Sequence, residues 1–289
     1  MTSQHLNDCV IIGQGKAGDA LLRSLKGASY RVSALVSRSE KNTKEGIAVF
    51  NSIGEWALAH PNHHPTFFIA WPDAQVPNAV DELYAHKVQP GAIVHLSGVC
   101  HNDLWMQHTH RCPVATFHPN AVLNKTFSIP SRTTVGIEAS DEALKNELTR
   151  LAKELDLSVI ALQNVDRRPY HLAAVHVANL ACVLVNQGVS LWTQQGLDPR
   201  ASQQALGQLL RTCAERIENT DPEKMLTGPI ARGDIETVSK HVSFLDQNAQ
   251  FAGLKESYQL LSTQLLELTE HSEETLQAMR QLLKSTPEK

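Results

Sequence analysis

The residues with the clearest chemical pattern stand near the start of the chain. An apolar run, Cys9-Val10-Ile11-Ile12, leads directly into Gly13-Gln14-Gly15-Lys16-Ala17-Gly18, which opens a helical stretch. In this G-x-G-x-x-G spacing the first glycine permits a tight turn, the second lets backbone approach a pyrophosphate, and the third allows helix and strand to pack closely. The helix N-terminus adds free N–H groups and the positive end of its dipole. Gly13, Gln14, Gly15, Lys16, Ala17 and Gly18 are therefore the candidate dinucleotide cradle; a glycine turn that serves packing alone is the alternative. Lys16 either adds charge near the phosphates or faces solvent. At the end of the second strand, about 20 residues past the glycines, NAD-binding chains place an acid on the ribose 2′-hydroxyl. Here the residues are Val36-Ser37-Arg38-Ser39, and Glu40 is the first acid. The Ser37 and Ser39 hydroxyls and the Arg38 guanidinium suit a 2′-phosphate. That favours NADP over NAD, with a solvated loop charge as the plainer reading of Arg38.

Other polar residues stand where a substrate could be met. Ser97-Gly98 ends an apolar run at what would be the C-terminal edge of a sheet, where open α/β folds bind ligands. Ser97 could bond the nicotinamide or the substrate, or simply stabilise a turn. Trp71, Pro72 and Asp73 follow the preceding strand and would lie near the cofactor, with Asp73 alternatively capping the next helix. His118, between an apolar strand and Pro119, has an imidazole whose ordinary pKa suits proton transfer near neutral pH. His171, His176, Asn179 and Asn186 interrupt a helix that is apolar on nearly all sides, and each would cost about 1–3 kcal/mol if buried unpaired. Arg232 lies between Gly228-Pro229, read as a turn, and Asp234, read as an N-cap; it would hold a substrate carboxylate or brace its own loop. His60, His63 and His64, and His101, His108 and His110, lack the ligand spacing of a metal site, so no metal is expected. No G-x-S-x-G, Walker or H-E-x-x-H pattern occurs, which argues against hydrolase, phosphotransferase and zinc-protease chemistry.

These residues need a scaffold, and the apolar pattern predicts one. Strands are expected at Cys9–Ile12, Arg31–Val36, Ile47–Phe50, Thr66–Trp71, Ala92–Ser97, Pro113–Phe117, Thr133–Ile137 and Ser158–Leu162. Several are unbroken apolar runs, as in strands covered on both faces. Helices fit between them, at Ala17–Leu25 and at Asp141–Leu155, where Leu144, Leu148, Leu151 and Leu155 line one face. This alternation predicts an α/β fold of the Rossmann type, a doubly wound parallel sheet. After Gln163 the pattern is helical only: Pro169 to Gly196, expected to be a buried central helix, then Asp198-Pro199 to Glu218, then a helix from Asp234 to Leu245. Leucine stripes end the chain, packing on the same domain or on a second subunit. The predicted organisation is residues 1–163 as the nucleotide-binding domain and 164–289 as an all-α domain. A length of 289 residues fits this, at about 150 residues per domain.

Composition narrows the class. Hydrophobic residues make up 42% of the chain and charged residues 19%, enough for a sizeable core. Thirty acidic and 26 basic residues give a net charge of −4, which argues against a nucleic-acid partner. The apolar stretch Leu172–Val185 is read as too short to span a membrane, and Met1–Asp8 lacks the features of a secretory signal. The five scattered cysteines read as reduced thiols, and a soluble cytoplasmic protein is expected.

With the glycine turn, the segments Trp71-Pro72-Asp73, Ser97-Gly98, Phe117-His118-Pro119, Tyr170-His171-Leu172-Ala173-Ala174-Val175 with Asn179, and Leu226-Thr227-Gly228-Pro229-Ile230-Ala231-Arg232-Gly233-Asp234 form a recognisable set. Over roughly residues 8–246 the chain resembles Rossmann-like oxidoreductases whose helical C-terminal half is a domain of unknown function. That family is similar to pyrroline-5-carboxylate reductase, ketopantoate reductase and prephenate dehydrogenase. The resemblance implies an NAD(P) domain, a helical and often dimer-forming domain, and an active site in the crevice between them. It implies that His118 stands beside the reacting group, as a comparable His-Pro loop does in prephenate dehydrogenases. It also favours His171 and Asn179 over His176. The related helix of ketopantoate reductase carries a catalytic lysine, and this chain has none there. The expected function is NADP-dependent hydride transfer to a C=O or C=N group of a small carboxylate metabolite, with His118 or His171 supplying the proton, Asn179 and Ser97 orienting the substrate and Arg232 anchoring it. A non-catalytic NADP(H) sensor is the alternative, and a purely structural dimerisation protein a third reading. The expected partners are a small-molecule substrate and a second copy of the chain.

Overall fold

The computed structural model describes residues 5–38, 46–100, 111–221 and 224–284. It divides into two compact units, Met1–Asn179 and Leu180–Lys289. In the first, the described residues run β1 (Cys9–Ile12), α1 (Lys16–Gly27), β2 (Val32–Val36), β3 (Ala48–Phe50), α2 (Ile53–Ala59), β4 (Thr66–Ile69), a 3₁₀ turn at Asp73–Gln75, α3 (Val76–Ala85), β5 (Ala92–His95), β6 (Val114–Pro119), β7 (Thr134–Ala139), α4 (Glu142–Glu154) and β8 (Ser158–Ala161). The sheet order is β3-β2-β1-β4-β5-β6-β7-β8.

The unbroken apolar runs follow from burial on two faces. Alternate residues of a strand point to opposite sides. Cys9 and Ile11 of β1, Phe68 of β4 and Val94 of β5 enter one core with Leu21, Leu22 and Leu25 of α1 and Leu144, Leu148 and Leu151 of α4. Val10, Ile12, Phe67, Ile69 and Ile93 enter the other, with Ile53 and Trp56 of α2 and Val76, Val80 and Leu83 of α3. Each large apolar side chain so buried contributes roughly 1.5–3 kcal/mol. This is the doubly wound α/β arrangement, Rossmann-like in its β3-β2-β1-β4-β5 half.

One pairing departs from the expected all-parallel sheet: β6 and β7 are antiparallel, with His118 opposite Gly136. Residues 120–133 between them contain no helix. A parallel return needs a crossover, usually helical, so the chain doubles back instead.

A helix α5 (Arg167–Gln194) follows β8. It begins two residues before Pro169, which is tolerated because first-turn N–H groups have no helical partner. The expectation that this helix is buried does not hold for the single chain: Arg167 is its one buried residue, while Leu172 is 64% and Val177 74% exposed. Its 28 residues also make it long and apolar enough, by length and composition alone, to cross a membrane. The shorter reading from Leu172–Val185 left out the flanking turns.

The second unit, which takes in the C-terminal part of α5, contains α6 (Pro199–Asn219), α7 (Gly228–Arg232), α8 (Ile235–Asp246), a 3₁₀ turn at Ala249–Phe251, α9 (Ala252–Leu266) and α10 (Glu273–Lys284). The Asp198 side chain accepts from the Ala201 N–H and caps α6; Asp234 accepts from Thr237 and caps α8, as its position predicts. Gly228-Pro229 opens the short helix α7 rather than forming a free turn, since proline suits the first helical turn. Ile230, Val238, Val242, Leu266, Met279 and Leu283 form this unit's core, joined by Tyr258, Leu265 and Leu276 from the terminal stripes.

Candidate active site

The glycine turn ends β1 at the C-terminal edge of the sheet. Gly13 has φ +109°, and a Cβ there would stand 2.7 Å from the Ala70 carbonyl oxygen. A Cβ on Gly18 would reach 1.9 Å from the Gly13 oxygen, so α1 can seat against the strand only through glycine. Gly15 differs: nothing lies within 4 Å of its would-be Cβ. Gly15 is also the N-cap of α1 and offers no side-chain cap, which leaves the first-turn N–H groups open. Lys16 is exposed at the first position of that helix, followed by the half-buried Ala17. Gln14 is 6% exposed, and neither polar atom of its carboxamide has a partner among the described residues. A buried amide without hydrogen bonds costs free energy unless a ligand satisfies it. Open space over Gly15 and an unsatisfied amide beside it fit a dinucleotide.

Two neighbouring strand ends complete this edge. After β2, Ser37 is buried and its N–H bonds the Phe50 carbonyl. The Arg38 guanidinium lies 5.1 Å from the centroid of the Trp71 ring, which follows β4. Cation–π stacking of this kind holds a flexible side chain in place. Ser39 lies outside the described residues. Pro72 stands at the N-cap of the 3₁₀ turn without a side-chain capping bond, and Gln75, not Asp73, stands at the N-cap of α3. The Asp73 carbonyl accepts from the Cys100 thiol at 3.4 Å, tying the segment after β4 to the one after β5.

Further along the same edge stands a histidine cluster. Ser97 is a turn residue: its Oγ accepts from the N–H groups of Val99 (3.2 Å) and Cys100 (3.0 Å). The bare α-carbon of Gly98 then makes room for two imidazoles. A Cβ there would meet Cε1 and Nε2 of His118 at 2.7 Å and Cδ2 of His171 at 2.9 Å. The two rings lie 6.2 Å apart, centre to centre. His118 Nδ1 is 2.9 Å from the Tyr170 hydroxyl, to which Asn120 Nδ2 donates at 2.8 Å. Burial above all, then the neighbouring His171, lowers the His118 pKa to about 4, against an opposing pull from Asp73. His118 is thus neutral at pH 7, which corrects the expectation that it titrates near working pH. Burial likewise raises the Tyr170 pKa, keeping its hydroxyl protonated.

Behind this cluster a fully buried guanidinium, Arg167, pairs with Glu138 and donates to Thr116 Oγ1 at 3.2 Å, which in turn bonds His95 Nε2 at 2.9 Å. Arg167 therefore joins β6, β7 and α5 about one turn before His171 on the same helix.

The structure thus brings His118, His171 and Gly98 together, and separately Arg38 and Trp71. Asn179 is exposed, and eight residues beyond His171 it lies about 12 Å further along the helix axis. His176 and Asn186 are exposed on the same helix. Arg232 is exposed at the end of α7 in the second unit. Among the described residues no three His, Cys, Asp or Glu side chains converge on a metal position. His63 bonds Asp8 at 2.7 Å, His64 bonds the Gln89 carbonyl, and His60 bonds the Trp56 carbonyl and stacks on the Trp56 ring. His101, His108 and His110 lie outside the described residues. The sequence reading missed Tyr170 and Asn120 as partners of His118, although Tyr170 belongs to the same motif as His171 and Asn120 follows Pro119.

Residues 133–265 match a family model described as a domain of unknown function (DUF2520). Comparison with the curated proteins finds no match. Among solved structures, BF3122 from Bacteroides fragilis, named as a candidate NADP oxidoreductase, is 20% identical with a TM-score of 0.71, over 92% of this chain and 100% of that one. Protein TM1727 from Thermotoga maritima is 21% identical, with a TM-score of 0.70 over 91% of this chain and 100% of that one. Plasmodium falciparum pyrroline carboxylate reductase, solved with NADP bound, is 12% identical, with a TM-score of 0.61 over 97% of this chain and 100% of that one. At these identities the likeness establishes the fold, a Rossmann-like unit followed by a helical region.

Proposed function

We propose that this chain is a nicotinamide-dependent oxidoreductase that uses NADP(H) and reduces a C=O or C=N group of a small carboxylate metabolite. The observation that carries the reading is one sheet edge bearing both an open glycine cradle beside the unsatisfied Gln14 amide and, three strands away on β6, a neutral histidine held against Gly98. Gly13 to Gly18 would hold the pyrophosphate through backbone N–H groups. Arg38, braced on Trp71, would pair with a 2′-phosphate. When bound, the reduced nicotinamide supplies a hydride. His118 would hydrogen-bond the heteroatom on which negative charge develops, in a site where burial strengthens that bond. His171 shares the rim at Gly98 and adds to burial, the larger cause, in lowering the His118 pKa.

A ketopantoate-like 2-oxo acid and a pyrroline-5-carboxylate-like imine are the first substrates to try. Oxidation of NADPH, followed spectroscopically with a panel of oxo acids and cyclic imines, is the expected result; a panel without turnover contradicts it. One observation favours a second reading, a sensor that binds without turnover: α5 carries no lysine. NADPH binding with no oxidation by any panel member would select that reading.

A second copy of the chain is the partner we propose for the apolar face of α5, where Leu172, Val177, Leu180, Val183 and Leu184 stand exposed. Apolar patches of this kind mark interaction surfaces. The compartment we propose is the cytoplasm, where the free thiols of Cys182 and Cys213, exposed on this chain, stay reduced.

A further inference from the structure

We propose that Asn120 and Tyr170 act as a positioning relay that fixes His118 as the Nε2–H tautomer, so that the site presents a hydrogen-bond donor and selects a substrate with a lone pair at the reacting heteroatom. The inference rests on the oxidoreductase reading above and narrows its substrate class. The bond directions follow from donor counts. A phenol has one proton to give. The Asn120 amide nitrogen can only donate, and it donates to the Tyr170 oxygen at 2.8 Å. The tyrosine proton then has His118 Nδ1, at 2.9 Å, as its acceptor among the described residues, and were Nδ1 to donate instead that half-buried proton would have none. A nitrogen that accepts this bond carries no proton, so in the neutral ring the proton sits on Nε2.

The packing holds this arrangement in register. His118 lies opposite Gly136 across the antiparallel β6–β7 pair, and a Cβ on Gly136 would stand 2.6 Å from the Tyr170 hydroxyl. The His118 and Tyr170 rings meet edge to face at 5.6 Å. On the other side His118 Nε2 borders Gly98, where a Cβ would close to 2.7 Å. Nε2 has no hydrogen-bond partner among the described residues, so its proton is available to a ligand. A ketone oxygen offers a lone pair to that N–H. A protonated cyclic imine offers a proton instead, and donor would face donor. The substrate class that fits is therefore a 2-oxo acid, rather than an iminium.

The relay can be read without turnover. Long-range ¹H–¹⁵N spectra of the uniformly labelled full chain report which ring nitrogen carries hydrogen, with His118 assigned by its loss in His118→Gln. The expected wild-type signature is a pyrrole-like Nε2 and a pyridine-like Nδ1. Asn120→Asp reverses the relay: a carboxylate accepts the tyrosine proton, the tyrosine oxygen then accepts from His118, and Nδ1 becomes pyrrole-like. Tyr170→Phe keeps the ring but removes the bond, and the Nδ1 resonance shifts away from its wild-type position. A protonated Nδ1 in the wild type, or an Nδ1 unmoved by both substitutions in folded protein, overturns the relay. In the NADPH assay, turnover of 2-oxo acids in preference to cyclic imines is expected, and the reverse preference overturns the substrate assignment. If neither class turns over, the oxidoreductase reading fails together with the substrate assignment, while the tautomer result stands on its own spectra.

Discussion

Burial keeps His118 uncharged, and that has a measurable cost in acid. Its pKa falls from 6.5 in the unfolded chain to about 4 in the native site. Between these values the unfolded state binds the extra proton, so native stability declines as pH drops through this window. The loss attributable to this one group reaches about 3 kcal/mol below pH 4. Chemical denaturation at pH 7 and pH 4 should show His118→Gln losing less stability on acidification than wild type; equal losses would refute the assignment. Arg38 carries a separate prediction. Arg38→Glu removes the guanidinium stacked on Trp71 and should weaken NADPH binding by about tenfold or more while leaving NADH binding intact. Equal loss of both contradicts the 2′-phosphate role. Arg38 and the glycine turn are legible in the sequence because their chemistry depends on local order. The partnership of His118 with Tyr170 is not, since 52 positions separate them and only the packing of β6, β7 and α5 closes the gap.

At the scale of elements, the glycine turn separates two duties that the motif merges. A methyl on Gly18 would collide with the Gly13 oxygen, whereas one on Gly15 would meet open space. Gly18→Ala should therefore destabilise the fold, by about 3 kcal/mol. Gly15→Ala should leave the melting temperature close to wild type and still weaken NADPH binding, because the added methyl stands where the phosphates approach. A Gly15→Ala protein with unchanged affinity would show that the turn serves packing alone. The central strands could be read from the chain because a strand covered on both faces is largely apolar, as β1, β4 and β5 are; β3 and β8 are more exposed and owe their legibility to β-branched residues such as Val49, Val159 and Ile160. The direction of β7 could not, because composition encodes burial and not strand polarity. The helix α2 had a usable signal in Ser52-Ile53-Gly54-Glu55: Ser52 Oγ accepts from the Glu55 N–H at 3.0 Å, half of a capping box.

At the scale of the whole molecule, α5 shows why an apolar sequence predicts burial without saying against what. Its face from Leu172 to Leu184 is exposed in one copy, and a second copy is the cover proposed here. Sedimentation equilibrium should give twice the chain mass, and Val177→Glu with Leu184→Glu should return it to the mass of one chain. A monomeric wild type that floats with lipid vesicles would point to a bilayer instead. If the sheet edge from Gly13 to Arg38 holds a phosphorylated dinucleotide, titration calorimetry of the wild-type chain with NADPH and with NADH will register it. Saturable heat with NADPH at micromolar concentrations and weaker binding of NADH are expected; no heat with either nucleotide would rule out this role for the edge.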